Sequence, residues 1–376
     1  MSLPNQPYRH ALVLSGGGLR FGYQLGAYQA FYERMGVPDV VLASCGGAFS
    51  AALLSLDSRP SILKALLSSR TCYEMFCRIY ARQARSLTDY LTPALKRYLT
   101  YRWRPTHHLA SALHADILDE LQSSLFDIDG EPNTPLWQQS DWQKQWRALC
   151  HSPSNNQHHP PQSVRTLIIS SQLIPTPKPH WQEVLSPFLG GAFDDVFAQT
   201  LHKLTPNSTM ATHNPLRINK RCAILPLPLS VAVRASISDM YYLPLTYWQD
   251  QALMGGVLNL MPIDHAKRLA DTVFIDDKSP YDTLLASPAI ASVFGFDANH
   301  VLNTLKHTHP HNANMHWLPL ADVSKHTKPI LAKQYRYFAG DIGVIYPSFD
   351  EFIDIVQSQW RYGYERSTHY FESLSL

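Results

Sequence analysis

The amino-acid sequence predicts an α/β fold with a mainly parallel central sheet and helices on both faces. Three observations lead there. Residues 10–15, HALVLS, form a short apolar run that enters Gly16, Gly17 and Gly18 and then a helically spaced stretch closing at Gly36. Residues 38–42, PDVVL, repeat the pattern, running into the small-residue turn ASCGG and the apolar helix AFSAALLSL. Two further apolar runs, RTLIISSQLI (165–174) and DTVFIDD (271–277), read as returning core strands. Successive strand, turn and helix units imply parallel strands joined by right-handed crossovers.

With 376 residues, 45% of them hydrophobic and 16% charged, the chain can bury a large core. A single domain is expected over 1–376. Its core would come from 7–56 and 165–285, with a helical cap inserted at 57–164 and a C-terminal helical region at 286–376. Within these, HSPSNNQHHPPQS (151–163) reads as an exposed loop and 349–367 as a helix.

The formal charge of +2, without an RNA-binding or helix-turn-helix signature, gives no reason to expect a nucleic-acid partner. No apolar run reaches the roughly 18 residues of a membrane span, and MSLPNQPYRH lacks the features of a signal peptide, so a cytoplasmic location is expected. Five cysteines, an odd number without zinc-ligand spacing, read as free thiols. The histidine-rich stretch HTHPHNANMH (307–316) and the pair His158 and His159 read as polar loop; neither a metal nor a cofactor is expected.

Three consecutive glycines after a strand let backbone N–H groups approach a ligand closely, while the following helix points its positive end at the same spot. Such a turn holds an anion. Neither GxxxxGK[ST] nor a clean GxGxxG with a following acidic residue is present, so a nucleotide is disfavoured. The alternative is an oxyanion hole for acyl transfer. The second turn fits that alternative, because a nucleophile elbow needs small residues two positions either side of the nucleophile, and Ala43 and Gly47 flank Cys45 in that way.

These motifs resemble the patatin-like phospholipases, which carry a GGGx[RK]G oxyanion loop, a GxSxG elbow and a distant DG[GA] motif completing a Ser-Asp dyad. GGGLRFGYQLG (16–26) is similar to the first, ASCGGA (43–48) to the second and MGGVLNLMP (254–262) to the third, with VRAS (233–236) also in keeping. The resemblance implies a three-layer fold, hydrolysis of lipid acyl esters as the ancestral activity, and an oxyanion or binding loop of Gly16, Gly17, Gly18, Leu19 and Arg20. It places the nucleophile at Cys45, the dyad aspartate at Met254 and the glycine after the basic residue at Phe21. A thioether cannot take a proton near neutral pH, so the resemblance also implies that hydrolysis is impaired or lost.

Two readings follow. In one, Cys45 is a working nucleophile, since a thiol at a helix N-terminus needs a base less than a serine does, and acylation outpaces deacylation. Asp264, His265, Asp276 and Asp277 are then candidates to stand in as base. In the other, the pocket binds a lipid or acyl group without turning it over. A basic stretch with interleaved aromatics over 73–104 is further expected to make peripheral membrane contact.

Overall fold

The alternation of apolar strands with small-residue turns builds one sheet and two helical layers. The computed structural model describes residues 6–81, 126–129, 136–151, 164–175, 180–188, 201, 222–239, 243–255, 259, 261–281, 283, 286, 287, 290, 291, 296–336 and 341–374. Of the expected loop 151–163 all but His151, and of the basic stretch 73–104 everything from residue 82 on, lie outside the described residues.

The strands are β1 (Tyr8–Leu14), β2 (Val40–Ser44), β3 (Ile79–Ala81), β4 (Phe126–Ile128), β5 (Arg165–Ile174), β6 (His180–Phe188), β7 (Ala223–Ile224), β8 (Thr246–Trp248), β9 (Gln251–Gly255), β10 (Ala270–Asp276), β11 (Met315–Leu318), β12 (Ala332–Arg336) and β13 (Asp341–Ile345). The central sheet runs in the order β11-β10-β1-β2-β5-β6-β7, with β9 on β5 and β8 on β9. From β11 to β5 every pairing is parallel. β5–β6, β5–β9 and β8–β9 are antiparallel. All five residues of β2 are buried, as expected for a central parallel strand covered on both faces.

Helices α1 (Gly22–Met35) and α2 (Gly46–Leu56) follow β1 and β2 in the same direction across the sheet, so right-handed crossovers put them on one face. The helix Ile263–Leu269 leads into β10 and packs against β10 and β1. The chain is therefore a mixed α/β, three-layer structure with a largely parallel sheet, as the sequence predicts.

Between residues 57 and 164, the described residues hold helices Pro60–Leu67, Arg70–Cys77 and Gln139–Cys150 and the antiparallel pair β3–β4. Beyond residue 286 the chain supplies more than helices. β11 extends the central sheet beside β10, and β12–β13 form a hairpin. Both are short runs without strong alternation, which is why periodicity does not reveal them.

The last helix, Phe349–Ser373, starts at a capping box between Ser348 and Glu351. It packs on α1 at two glycines: a Cβ on Gly26 would overlap the Trp360 carbonyl, and one on Gly363 the Tyr23 carbonyl. Gln359 reinforces the contact, accepting a hydrogen bond from the Gly22 N–H at 3.0 Å and donating to the Lys328 carbonyl at 2.7 Å. The C-terminal helix thus anchors the start of α1, immediately behind the glycine turn.

Candidate functional site

β2 ends at Ser44 and α2 begins at Gly46, leaving Cys45 at the helix N-cap with φ 52° and ψ −128°. A side chain in a sparsely populated backbone region costs on the order of 1–3 kcal/mol. The surroundings enforce the turn. A Cβ on Gly46 would lie 2.8 Å from the Gly18 carbonyl oxygen, and one on Gly47 would overlap the Leu14 carbonyl. From helix Leu229–Ile237, Ser236 Oγ accepts the Cys45 N–H at 2.9 Å and donates to the Ile169 carbonyl at 2.6 Å, tying the elbow to β5. The VRAS motif is therefore a clamp on the elbow. Its Arg234 is buried and donates to Ser238 Oγ and the Pro244 carbonyl.

The glycine turn lies against this elbow. A Cβ on Gly16 would stand 2.9 Å from Cys45 Cβ and 3.1 Å from its sulfur, so only glycine admits the thiol. The backbone nitrogens of Gly17 and Gly18 come within 3.1 and 3.3 Å of the Cβ position of Gly46, and Gly18 needs its φ of 63°. Buried Asp276 fixes the turn from below, accepting from the Ser15 N–H at 2.7 Å, Gln24 Nε2 at 2.7 Å and Tyr23 OH at 3.4 Å. Burial pushes its carboxyl up to about 6. The Leu19 carbonyl accepts from the Ile330 N–H at 2.9 Å, and Arg20 Nε donates to the Thr327 carbonyl at 3.1 Å. Phe21 has an unstrained φ of −115°. Its ring packs 4.3 Å from that of Phe49 and 5.1 Å from that of Phe76, so it builds a wall without distorting the loop.

That wall bounds a cavity of about 440 Å³ reaching from Cys45, Gly18 and Arg20 to Ile79, Leu331 and Val344. Its lining is mostly apolar, with Asp239 the carboxylate among it. Cys45 is half-buried. Burial pushes its thiol up from the ordinary value, Lys278 pulls it back and Asp239 pushes it further. Lys278 is buried, donates to the Gly16 carbonyl and lies 4.6 Å from the centre of the Tyr281 ring. Burial lowers its pKa, against the opposing influence of Cys45 and Asp276.

The structure thus brings Gly16, Gly17, Gly18, Leu19 and Arg20 together with Cys45. Met254 is fully buried in β9 and does not line the cavity. In register with Ser171, itself opposite Glu183, it shares their face of the sheet. None of the four candidate bases is seen beside the thiol. Asp264 pairs with His309 at 3.3 Å, Asp277 with Lys306 and His265 with Glu183 at 3.1 Å, while Asp276 is occupied under the glycine turn. Asp239 and Lys278 are the charged groups that sequence reasoning missed. Lys278 directly follows the run 271–277, at the carboxyl end of a parallel strand where sites collect; that position was the available signal.

Among the described residues, Glu183, Cys222 and His265 form the group that gathers three metal-type ligand atoms, all within 4.8 Å of one another. Hydrogen bonds account for it. Glu183 interacts with Cys222 Sγ at 3.2 Å, His265 Nε2 at 3.1 Å and Asn259 Nδ2 at 2.8 Å. Burial opposes ionisation of Glu183, but His265 and these hydrogen bonds outweigh it and leave its pKa below the ordinary value. In the stretch 307–316, His309 pairs with Asp264, and His316 stacks on Phe274 at 4.7 Å.

A comparison with curated proteins finds no match. The elbow, the glycine turn beside it and the three-layer fold agree with a comparison against protein families, in which residues 12–294 match the patatin-like phospholipases. The chain belongs to the patatin-like phospholipase family.

Proposed function

We propose that Cys45 accepts acyl groups from lipid esters as a thioester, in a site where hydrolytic release is slow because Met254 stands where the family carries its aspartate. The observation that carries this reading is the backbone of Cys45. A strained turn at a non-glycine residue, facing a glycine loop and opening on an apolar cavity, supports a side chain held for attack rather than for packing. The amides of Gly17 and Gly18 are the natural donors for the developing oxyanion. The aromatic wall of Phe21, Phe49 and Phe76 suits an acyl chain.

Lipid would arrive from a membrane surface. Among the described residues, the exposed large hydrophobics are Tyr80, Ile345 and Tyr346, and their chain neighbours Ile79 and Val344 line the cavity. Such a rim supports peripheral contact without insertion, and no helix among the described residues is long and apolar enough to cross a membrane.

The second reading, a pocket that holds lipid without covalent chemistry, is favoured by the burial that raises the Cys45 thiol pKa. Intact-mass spectrometry after incubation with a p-nitrophenyl ester separates the two. A single acyl adduct lost in Cys45→Ala supports acylation; an unmodified protein that still binds a fluorescent fatty acyl probe supports simple binding.

A further inference from the structure

Cys45 lacks a proton acceptor at the family position, yet a buried amine stands next to it. Asp277 turns outward to Lys306, and the next residue, Lys278, turns inward. Its Nζ donates to the Gly16 carbonyl. A Cβ on Gly16 would be 2.9 Å from Lys278 Nζ and 3.1 Å from Cys45 Sγ, so amine and thiol press on the same face of one glycine. That places them within the roughly 4–6 Å over which an ammonium stabilises a neighbouring anion.

We propose that Lys278 is the proton-transfer partner of Cys45, an inference that rests on the acyl-acceptor reading above. In its unprotonated form the amine takes the thiol proton and becomes an ammonium, and the thiolate attacks the ester carbonyl carbon. As the carbon–oxygen bond breaks, the departing alkoxide takes the proton back from the ammonium. The products are a Cys45 thioester, an alcohol and a neutral lysine. Burial brings the two groups closer in proton affinity by lowering the amine and raising the thiol, which favours transfer in both directions. Slow deacylation follows from Met254, whose thioether cannot take a proton from a hydrolytic water. The charged and titratable groups around the pair are Asp276, Tyr281 and Asp239.

The test compares the full-length wild type with Lys278→Met and Lys278→Arg. Acylation of Cys45 is followed by intact mass with two esters of the same acyl chain, one with p-nitrophenol and one with a simple alcohol as leaving group. Removing a general base or acid costs on the order of 10²–10⁴-fold, so Lys278→Met is expected to lose at least 10² with both esters. An arginine keeps the charge but stays protonated. Lys278→Arg is therefore expected to recover much of the reaction with p-nitrophenol, whose departure needs no acid, and little with the alkyl ester. Folding of each variant is verified by circular dichroism.

Equal acylation rates in wild type and a folded Lys278→Met overturn the inference while leaving the acyl-acceptor reading intact. So does a Lys278→Arg variant that treats both esters alike, which would reduce the lysine to a strut for Gly16. A wild type that neither ester acylates, while iodoacetamide alkylates Cys45, overturns the acyl-acceptor reading itself and the lysine's role with it.

Discussion

Replacing Cys45 by alanine and by glycine measures the strain at the elbow directly. The two variants differ by one methyl group at φ 52° and ψ −128°. At an ordinary position glycine loses about 0.5–1 kcal/mol to alanine through chain entropy, and a buried methyl adds about 0.8 kcal/mol. Alanine should win by about 1.5 kcal/mol. Here the alanine also carries the backbone strain, on the order of 1–3 kcal/mol, which glycine escapes. Taking the middle of each range, glycine ends about 0.5 kcal/mol ahead. With an unfolding entropy of ~2.1 cal/mol/K per residue over 376 residues, 1 kcal/mol corresponds to about 1.3 °C in Tm. Cys45→Gly should therefore melt at or slightly above Cys45→Ala in differential scanning calorimetry, where an unstrained site would put it about 2 °C below. A glycine variant that melts 2 °C or more below the alanine variant refutes the claim that the fold holds Cys45 under strain, and with it the main support for a positioned nucleophile.

Other expectations follow from the same geometry. Gly16→Ala drives a Cβ between the thiol and Lys278 and should reduce ester acylation of Cys45 at least tenfold, read by intact mass; wild-type rates would mean that the turn does not confine the thiol. Asp239→Asn removes a negative charge that raises the Cys45 pKa, so the pH midpoint of iodoacetamide alkylation should move down, and an upward or absent shift contradicts the assignment. Asp276, at about 6 in the fold against an ordinary 3.8, binds its proton more tightly folded than unfolded. Its contribution to stability is full below about pH 4 and is lost as pH rises towards 6. Subtracting the urea-unfolding profile of Asp276→Asn from that of the wild type should expose that slope. The double change Cys45→Ser and Met254→Asp should give esterase activity that neither single change gives, because nucleophile and base act as a unit. The Ser171 hydroxyl, buried directly opposite Met254 and without a partner among the described residues, offers the new carboxylate a donor. A folded double variant without activity would mean that a carboxylate at 254 does not reach the elbow.

Much of this protein is written locally. HALVLS-GGG and PDVVLAS-CGG specify strand, turn and helix from apolar runs and glycines alone, and two such units force parallel strands with right-handed crossovers. The same short segments carry the family resemblance, because the turn needs small residues wherever backbone approaches backbone, as at Gly16 and Gly47. What the sequence did not contain was distance. Lys278 reaches the elbow from the far end of β10 because β10 lies beside β1, a pairing between residues too far apart for any periodicity to register. Ser236 pins the Cys45 N–H across 191 positions for a similar reason. The carboxylates Asp264 and Asp277 are indistinguishable from Asp239 by residue type, and only packing decided that the first two pair with His309 and Lys306 while Asp239 and Lys278 stand near the thiol. Local chemistry chose the turn, and the three-dimensional closure of the sheet chose its neighbours.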